Sequence, residues 1–268
     1  MGYVIVNRKK SERKFLMDIL LTNDDGIYAE GIYALYTELR KVGKVTVVAP
    51  DSERSSVGHA ITLAHPIWYK KVNRKGKPFG YAISGTPADC VKFATAIILA
   101  RKPDVVISGI NLGGNDGCSV FYSGTVAGAR EGALLGIPSI AISLATFVEP
   151  DFSYAARCGA NFVRSLKKHS LPKGTFLNVN VPNLPASKIK GIKIARQGME
   201  PIHSSFRKRR DPNFRDYYWM TGKMPAQKND NAIDTCALAD RYVTVTPIQS
   251  DSTDHAFLDK LRTWKIER

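Results

Sequence analysis

The sequence lacks any closely spaced pair of cysteines. Cys90, Cys118, Cys158 and Cys236 lie far apart, with no CxxC among them. That spacing argues against a zinc site and against a disulfide framework, and it suits isolated thiols in a reducing compartment. No apolar run is long enough to cross a bilayer. The basic segment MGYVIVNRKKSERKF runs into MDILL, which is too short for the apolar region of a signal peptide. A soluble, cytoplasmic protein is therefore expected, with no membrane partner. No repeat at solenoid periods and no low-complexity tract occurs. A complete phosphate loop is missing, because no Gly-Lys-Ser/Thr follows the glycines, and Gly113-Gly114 lacks the full dinucleotide fingerprint. Acidic residues are the minority charge, 24 against 39 basic ones, for a net charge of +15. This balance favours anionic partners such as phosphorylated metabolites, nucleic acid or a membrane surface, without choosing among them. Part of the excess sits in Arg8, Lys9, Lys10, Arg13 and Lys14, and part in Arg207-Lys208-Arg209-Arg210. Both runs read as solvated tails or loops, and neither forms a nucleic-acid-binding motif.

What is present is a long alternation of strands and helices. With 268 residues, 44% of them hydrophobic, the chain can bury a full core. Residues 1–16 read as an N-terminal extension. Asp18–Thr22 is a short apolar run that reads as a buried strand, stopped by the turn signal Asn23-Asp24-Asp25-Gly26. A helix with Ile32, Leu35, Tyr36 and Leu39 on one face follows, and then a second buried strand, Val45–Ala49. The segments Ile67–Val72 and Phe79–Ser84 flank Asn73-Arg74-Lys75-Gly76-Lys77 and read as a hairpin. Helices are expected over Ala88–Ala100, Thr125–Leu135 and Tyr154–Lys168, and strands over Asp104–Ser108, Ser139–Ser143 and Phe176–Val181. Continuous apolar strands alternating with helices predict an α/β fold, a Rossmann-like, doubly wound, mostly parallel sheet over residues 17–185. Residues 186–268 read as a smaller, irregular, β-rich appendage. Its short strands are Gly191–Arg196, Tyr217–Met220 and Tyr242–Pro247, and a helix over Ala256–Trp264 closes it. Its exposed hairpins suit subunit contacts.

In such a sheet, ligands bind outside the carboxyl ends of the strands. The first strand delivers Asp24-Asp25 there, the second a loop carrying Ser55 and His59, and the strand at 104–108 delivers Asn111 to Asn115. Two adjacent carboxylates at a buried strand end repel one another unless a cation offsets them. A single Asp would read as an ordinary helix cap; two beside Asn23 and Gly26 read as a metal site. Ser55 and Asn111 are the neutral oxygens that would complete it, although each alone reads as a loop or turn residue. An all-oxygen set favours Mg²⁺ or Mn²⁺ over Zn²⁺. Ser123-Gly124-Thr125 opens a helix of small residues and offers two hydroxyls and free N–H groups, which is either a phosphate cradle or a simple N-cap. Gly85-Thr86-Pro87-Ala88-Asp89 has the same form and could supply a second polar wall. His59 is either a general acid or a histidine hydrogen-bonded within its loop.

These segments carry a family likeness. The chain resembles the SurE family, the stationary-phase survival proteins that act as 5′/3′-nucleotidases. The resemblance rests on LLTNDDGI, VVAPDSERSSVGHAIT, SGTPADCVKFA, PDVVISGINLGGNDG, YSGTVAGAREGALLGIPSIAIS and YVTVTP, in the family's order. It implies one divalent cation per subunit on Asp24, Asp25, Ser55 and Asn111, with Asp24, Asp25 and Asn111 at the chemistry. It implies hydrolysis of nucleoside monophosphates, with exopolyphosphatase side activity. It also implies a homodimer or homotetramer whose C-terminal part is exchanged between subunits. On that reading the phosphate would be oriented by Asn115, Ser123, Gly124 and Thr125. Two departures fall near the C-terminus. Arg241 stands where the family usually carries glycine, and the preceding acidic and aromatic pattern survives only as Asp234-Thr235-Cys236-Ala237. A nucleotide-binding module without hydrolysis and a nucleic-acid-binding protein are the alternatives. A covalent aspartyl-phosphate route is disfavoured, because the flanking DxDx[TV] arrangement is absent.

Overall fold

The structure is a computed structural model that describes residues 17–201, 203–223 and 230–266. The extension expected over residues 1–16 lies outside them. In chain order the elements are β1 (Met17–Thr22), α1 (Glu30–Leu39), β2 (Gly43–Pro50), β3 (Tyr69–Arg74), β4 (Lys77–Ile83) and α2 (Pro87–Phe93). There follow β5 (Val105–Leu112), α3 (Gly124–Leu134), β6 (Ser139–Ala145), α4 (Phe152–Ser165) and β7 (Thr175–Pro182). The last are β8 (Ile192–Ile194), β9 (His203–Arg210), β10 (Asp216–Lys223), α5 (Asp234–Ala239), β11 (Val243–Gln249) and α6 (His255–Leu261).

Nine strands form one sheet in the order β3-β4-β2-β1-β5-β6-β7-β11-β8. The run from β4 to β7 is parallel, while β3 and β11 pair antiparallel with their inner neighbours. Successive residues of β1 point to opposite faces, as the pleat requires. Ile19 and Leu21 pack with Leu35 and Leu39 of α1 and with Ala155 and Val163 of α4. Leu20 faces the other way and packs with Val91 of α2. On that second face Val126, Ala129 and Ala133 of α3 pack with Ala141 and Phe176. The sheet is thus covered on both sides, which explains why its central strands are apolar throughout. No helix among the described residues is long and apolar enough to cross a membrane.

Several elements differ from the sequence expectation. The helix expected over Ala88–Ala100 ends at Phe93 and continues as a π-helical turn, Ala94–Ile98. β5 does not stop at Ser108 but runs to Leu112, with a register shift between Gly109 and Asn111 against β6. Residues beyond 185 are not wholly separate from the core sheet: β8 and β11 extend it at one edge. The basic run Arg207–Arg210 is not a loop but part of β9, paired with β10 in a two-stranded hairpin. Within it Asp216 neutralises Lys208 and Arg210.

Arg241 explains why the family position suits glycine. It has φ of +70° and follows α5. Its N–H donates to the carbonyl of Leu238 and that of Tyr242 to Ala237, at 3.0 Å each. This paired closure is the helix ending that places one residue in the left-handed region. Asp234, at the start of α5, is fully buried and accepts from the N–H groups of Gly117, Gly198 and Thr235. The surviving acid therefore ties the C-terminal part to the loop after β5.

Candidate metal and phosphate site

The chain leaves β1 toward β2 and β4 on one side and returns to β5 on the other. The order of connection reverses between β1 and β5, and the crevice that opens there is where such sheets bind ligands. Asp24-Asp25 follows β1, the Ser55 loop follows β2, and Asn111 is the last residue but one of β5. Backbone bonds join the first two loops to each other and the second to the segment before α3, and a backbone-to-side-chain bond ties in the third. Arg54 N–H donates to the Asp24 carbonyl at 2.7 Å, Ile27 N–H to Pro50 at 2.8 Å, and Gly58 N–H to Tyr122 at 2.9 Å. The N–H of Leu112 donates to Asp25 Oδ2 at 3.1 Å.

Helix α3 supplies the fourth wall, and its glycines set how close it comes. A methyl group at Gly128 would fall 2.7 Å from Ser108 Oγ, and one at Gly124 would fall 2.8 Å from Asp24 Cβ. Only a residue without a side chain lets the helix lie that near the sheet. Its first turn is thereby pressed onto Asp24. Thr125 donates its hydroxyl to Asp24 Oδ1, and its backbone N–H also bonds that carboxylate. Ser123 caps the helix, its Oγ accepting from Val126 N–H at 3.1 Å. That leaves the Ser123 hydroxyl proton available to donate, and the first N–H groups of any helix have no partner within it.

The remaining candidates are placed as follows. The Ser55 hydroxyl is exposed and donates to Glu53 Oε1 at 2.6 Å. Asn111 donates its amide to the carbonyl of Gly113 at 2.7 Å, leaving its oxygen free of that bond. Asn115 is buried in a polar network. Its N–H donates to Asn180 Oδ1 at 2.7 Å, its side-chain amide to Ser143 Oγ at 2.8 Å, and Asn178 donates to its carbonyl at 2.8 Å. This fastens the loop carrying Asn111 to the sheet. His59 bonds Glu131 Oε2 at 2.9 Å, the buried carboxylate that also takes Lys92 at 2.8 Å. The histidine thus pins the Ser55 loop onto α3, and this bond is not one within its own loop. Thr86 and Asp89 form a reciprocal cap on α2, and Asp89 also accepts from Thr62, so that segment is a helix start and a loop anchor.

The electrostatics single out the two aspartates. Burial lifts the Asp24 carboxyl above its ordinary range, against the lowering pull of its Thr125 bonds, and Glu53 lifts it further. Burial raises the Asp25 carboxyl to about 7, with Asp24 and then Glu53 adding to the rise. No cationic side chain among the described residues offsets either acid. Arg54 turns away, bonding the Ser84 carbonyl at 3.1 Å and lying 3.6 Å from Asp51. Beside the pair, Asn23 Oδ1 is buried with no hydrogen-bond partner. A hard, all-oxygen donor set with excess negative charge and no internal cation fits a divalent metal ion. Glu53 was not singled out by the sequence reading. Its signal was an acid two residues before Ser55 at the same strand edge.

Comparison with known proteins gives the chain's relatives. The family described as "Survival protein SurE" matches residues 19–204. A protein named 5′-nucleotidase SurE from Syntrophobacter fumaroxidans is 48% identical over 93% of this chain and 100% of its own length. One of the same name from Thermosipho melanesiensis is 46% identical over 91% of this chain and 96% of its own. The crystal structure of the SurE protein from Aquifex aeolicus superposes with a TM-score of 0.81 at 39% identity, covering 91% of this chain and 98% of that one. Taken with the acid pair at the β1–β5 switch point, these matches establish that the chain belongs to the SurE family.

Proposed function

We propose that this protein is a metal-dependent phosphomonoesterase that hydrolyses nucleoside 5′-monophosphates to nucleoside and phosphate. The observation that carries the reading is the buried Asp24-Asp25 pair, raised in pKa and without a cationic partner among the described residues. The names of the relatives supply the substrate class. Hydrolysis of 3′-monophosphates and of polyphosphate ends belongs to the same proposal, because the groups proposed to hold the phosphate would address its oxygens and no particular ester.

Asp24, Asp25, Ser55 and Asn111 would hold one Mg²⁺ or Mn²⁺ per subunit. When bound, such an ion supplies Lewis acidity toward a phosphate oxygen and lowers the pKa of a nearby water. The chain's own groups do the rest. Thr125 fixes the Asp24 carboxylate through its hydroxyl and its amide. The Leu112 N–H fixes Asp25. The Ser123 hydroxyl and the backbone N–H of Gly124 would orient the phosphate at the positive end of α3. Asn115 holds the Asn111 loop in place. In the reaction a water oxygen bonds to phosphorus, the P–O ester bond breaks, and the nucleoside leaves with a proton. The exposed hairpin, with Tyr218, Trp219 and Met220 open to solvent, suits exchange between subunits of a homodimer or homotetramer, which light scattering tests.

The deciding experiment is phosphate release from AMP with Mn²⁺ or Mg²⁺. Release is expected with metal, none with EDTA, and almost none from Asp24→Asn that folds normally. Nucleotide binding without release would overturn the reading in favour of a binding module. Unimpaired turnover by Asp24→Asn would overturn the metal role.

A further inference from the structure

Among the exposed aromatic rings, Phe147 lies against the loop that carries Asn111. Phe147 follows β6 at the ligand edge of the sheet and is 78% exposed. It lies against Gly113, where φ is +112° and an added methyl group would fall 2.5 Å from Phe147 Cζ. The ring therefore takes the space of a missing side chain, with its other side open. Gly113 belongs to the same short loop as Asn111 and Leu112. Asn111 donates to the Gly113 carbonyl, and Leu112 N–H donates to Asp25. By backbone dimensions, the ring is within about 12 Å of the Asp25 carboxylate.

The segment bearing this ring is held in place. Thr146 Oγ1 donates to the Val148 carbonyl at 2.8 Å and accepts from Val148 N–H at 3.1 Å. The Asn183 side chain bonds the Glu149 carbonyl and the Asp151 N–H at 3.0 Å each. A large flat side chain that is open to solvent on a backbone held by these bonds, beside the Asn111 loop, offers a face on which a flat ligand can stack. Little ordering entropy remains to oppose stacking on it.

We propose that Phe147 is the platform on which the nucleobase of the substrate stacks, and so sets the preference for nucleotides over simpler phosphate esters. The proposal rests on the nucleotidase reading above. A phosphate at Ser123 and Asp24–Asp25 would direct its sugar across the Asn111 loop, and one ribose separates that phosphate from a flat base over Phe147. Stacking recognises the π-face common to all bases, so the preference would be for a base and not for one particular base.

The test measures kcat/KM for AMP and for ribose 5-phosphate, which lacks the base, with Mn²⁺ and the full chain. Loss of a base–aromatic stack is expected to lower the AMP to ribose 5-phosphate ratio about tenfold in Phe147→Ala, while Phe147→Tyr keeps the ratio. An unchanged ratio in Phe147→Ala overturns the proposal, as does an equal fall for both esters. A wild-type chain that releases phosphate from neither ester overturns the nucleotidase reading instead.

Discussion

Removing the charge of Asp25 is expected to stabilise the metal-free protein while destroying its activity. The ordinary carboxyl value of 3.8 is lifted to about 7, first by burial and then by Asp24. A raised acid pKa means that the ionised form is the costly one in the folded state. The cost is absent below about pH 4, grows as pH rises toward 7, and is fully present above it. Between the two protonation states the lift corresponds to about 4 kcal/mol. Solvent still reaches part of this carboxylate, so about half of that, roughly 2 kcal/mol, is the expected cost at pH 8. Asp25→Asn keeps an oxygen for Leu112 N–H and removes both the burial cost and the repulsion from Asp24. In EDTA at pH 8 its Tm should exceed the wild-type value by about 4–8 °C, at about 2–4 °C per kcal/mol for a chain of this size. At pH 4 the two proteins should differ little. Mn²⁺ should then raise the wild-type Tm and leave the variant nearly unmoved. Thermal unfolding followed by circular dichroism reads all of this. An apo variant no more stable than wild type at pH 8, or an equal gain from Mn²⁺ in both proteins, would refute the reasoning.

Two further perturbations test other parts of the argument. Arg241→Gly relieves a left-handed residue at the end of α5 and should stabilise by about 1 kcal/mol, seen as a rise in Tm of about 2–4 °C; a fall would show that the arginine side chain contributes more than its backbone costs. Gly124→Ala places a methyl group 2.8 Å from Asp24 Cβ and 3.0 Å from Oδ2, so Asp24 must move. Phosphate release from AMP should fall tenfold to a hundredfold with the circular dichroism spectrum intact, and full activity would show that α3 does not set the position of Asp24.

The central sheet was legible because its strands are buried on both faces. Ile19-Leu20-Leu21 and Val105-Val106-Ile107 are apolar without a break, and nothing but a covered parallel strand asks for that. The acid pair was legible for the opposite reason, since two carboxylates after such a strand have no core role. What stayed hidden depends on contacts distant in sequence. Nothing near Val243–Gln249 says that it pairs with β7. The run Arg207–Arg210 reads as solvated because its partner strand, with the neutralising Asp216, lies beyond a turn. Thr125 was read as a phosphate contact, yet its hydroxyl goes to Asp24, because the close approach of α3 at Gly124 and Gly128 is a packing fact. Phe147 carried no signal, for an exposed phenylalanine in a loop is unremarkable until its place against Gly113 is known.

The net charge of +15 invites the view that the protein attracts phosphate by its overall field. The local arrangement argues otherwise. Around the crevice the charges that act on Asp24 and Asp25 are each other and Glu53, all of one sign. Several basic side chains are held elsewhere by acids, Lys208 and Arg210 by Asp216, Arg215 by Asp211 and Lys92 by the buried Glu131, so they do not face the acid pair. Exposed charges more than about 8–10 Å away are screened at physiological ionic strength. The positive end of α3 is partly committed as well, since Thr125 turns its amide and hydroxyl to Asp24. Without a cation the crevice therefore opposes an incoming phosphate. On the proposed reading, metal binding and substrate binding would be coupled: the same two carboxylates that destabilise the empty fold would reserve the site for a phosphate that arrives with, or after, a divalent ion.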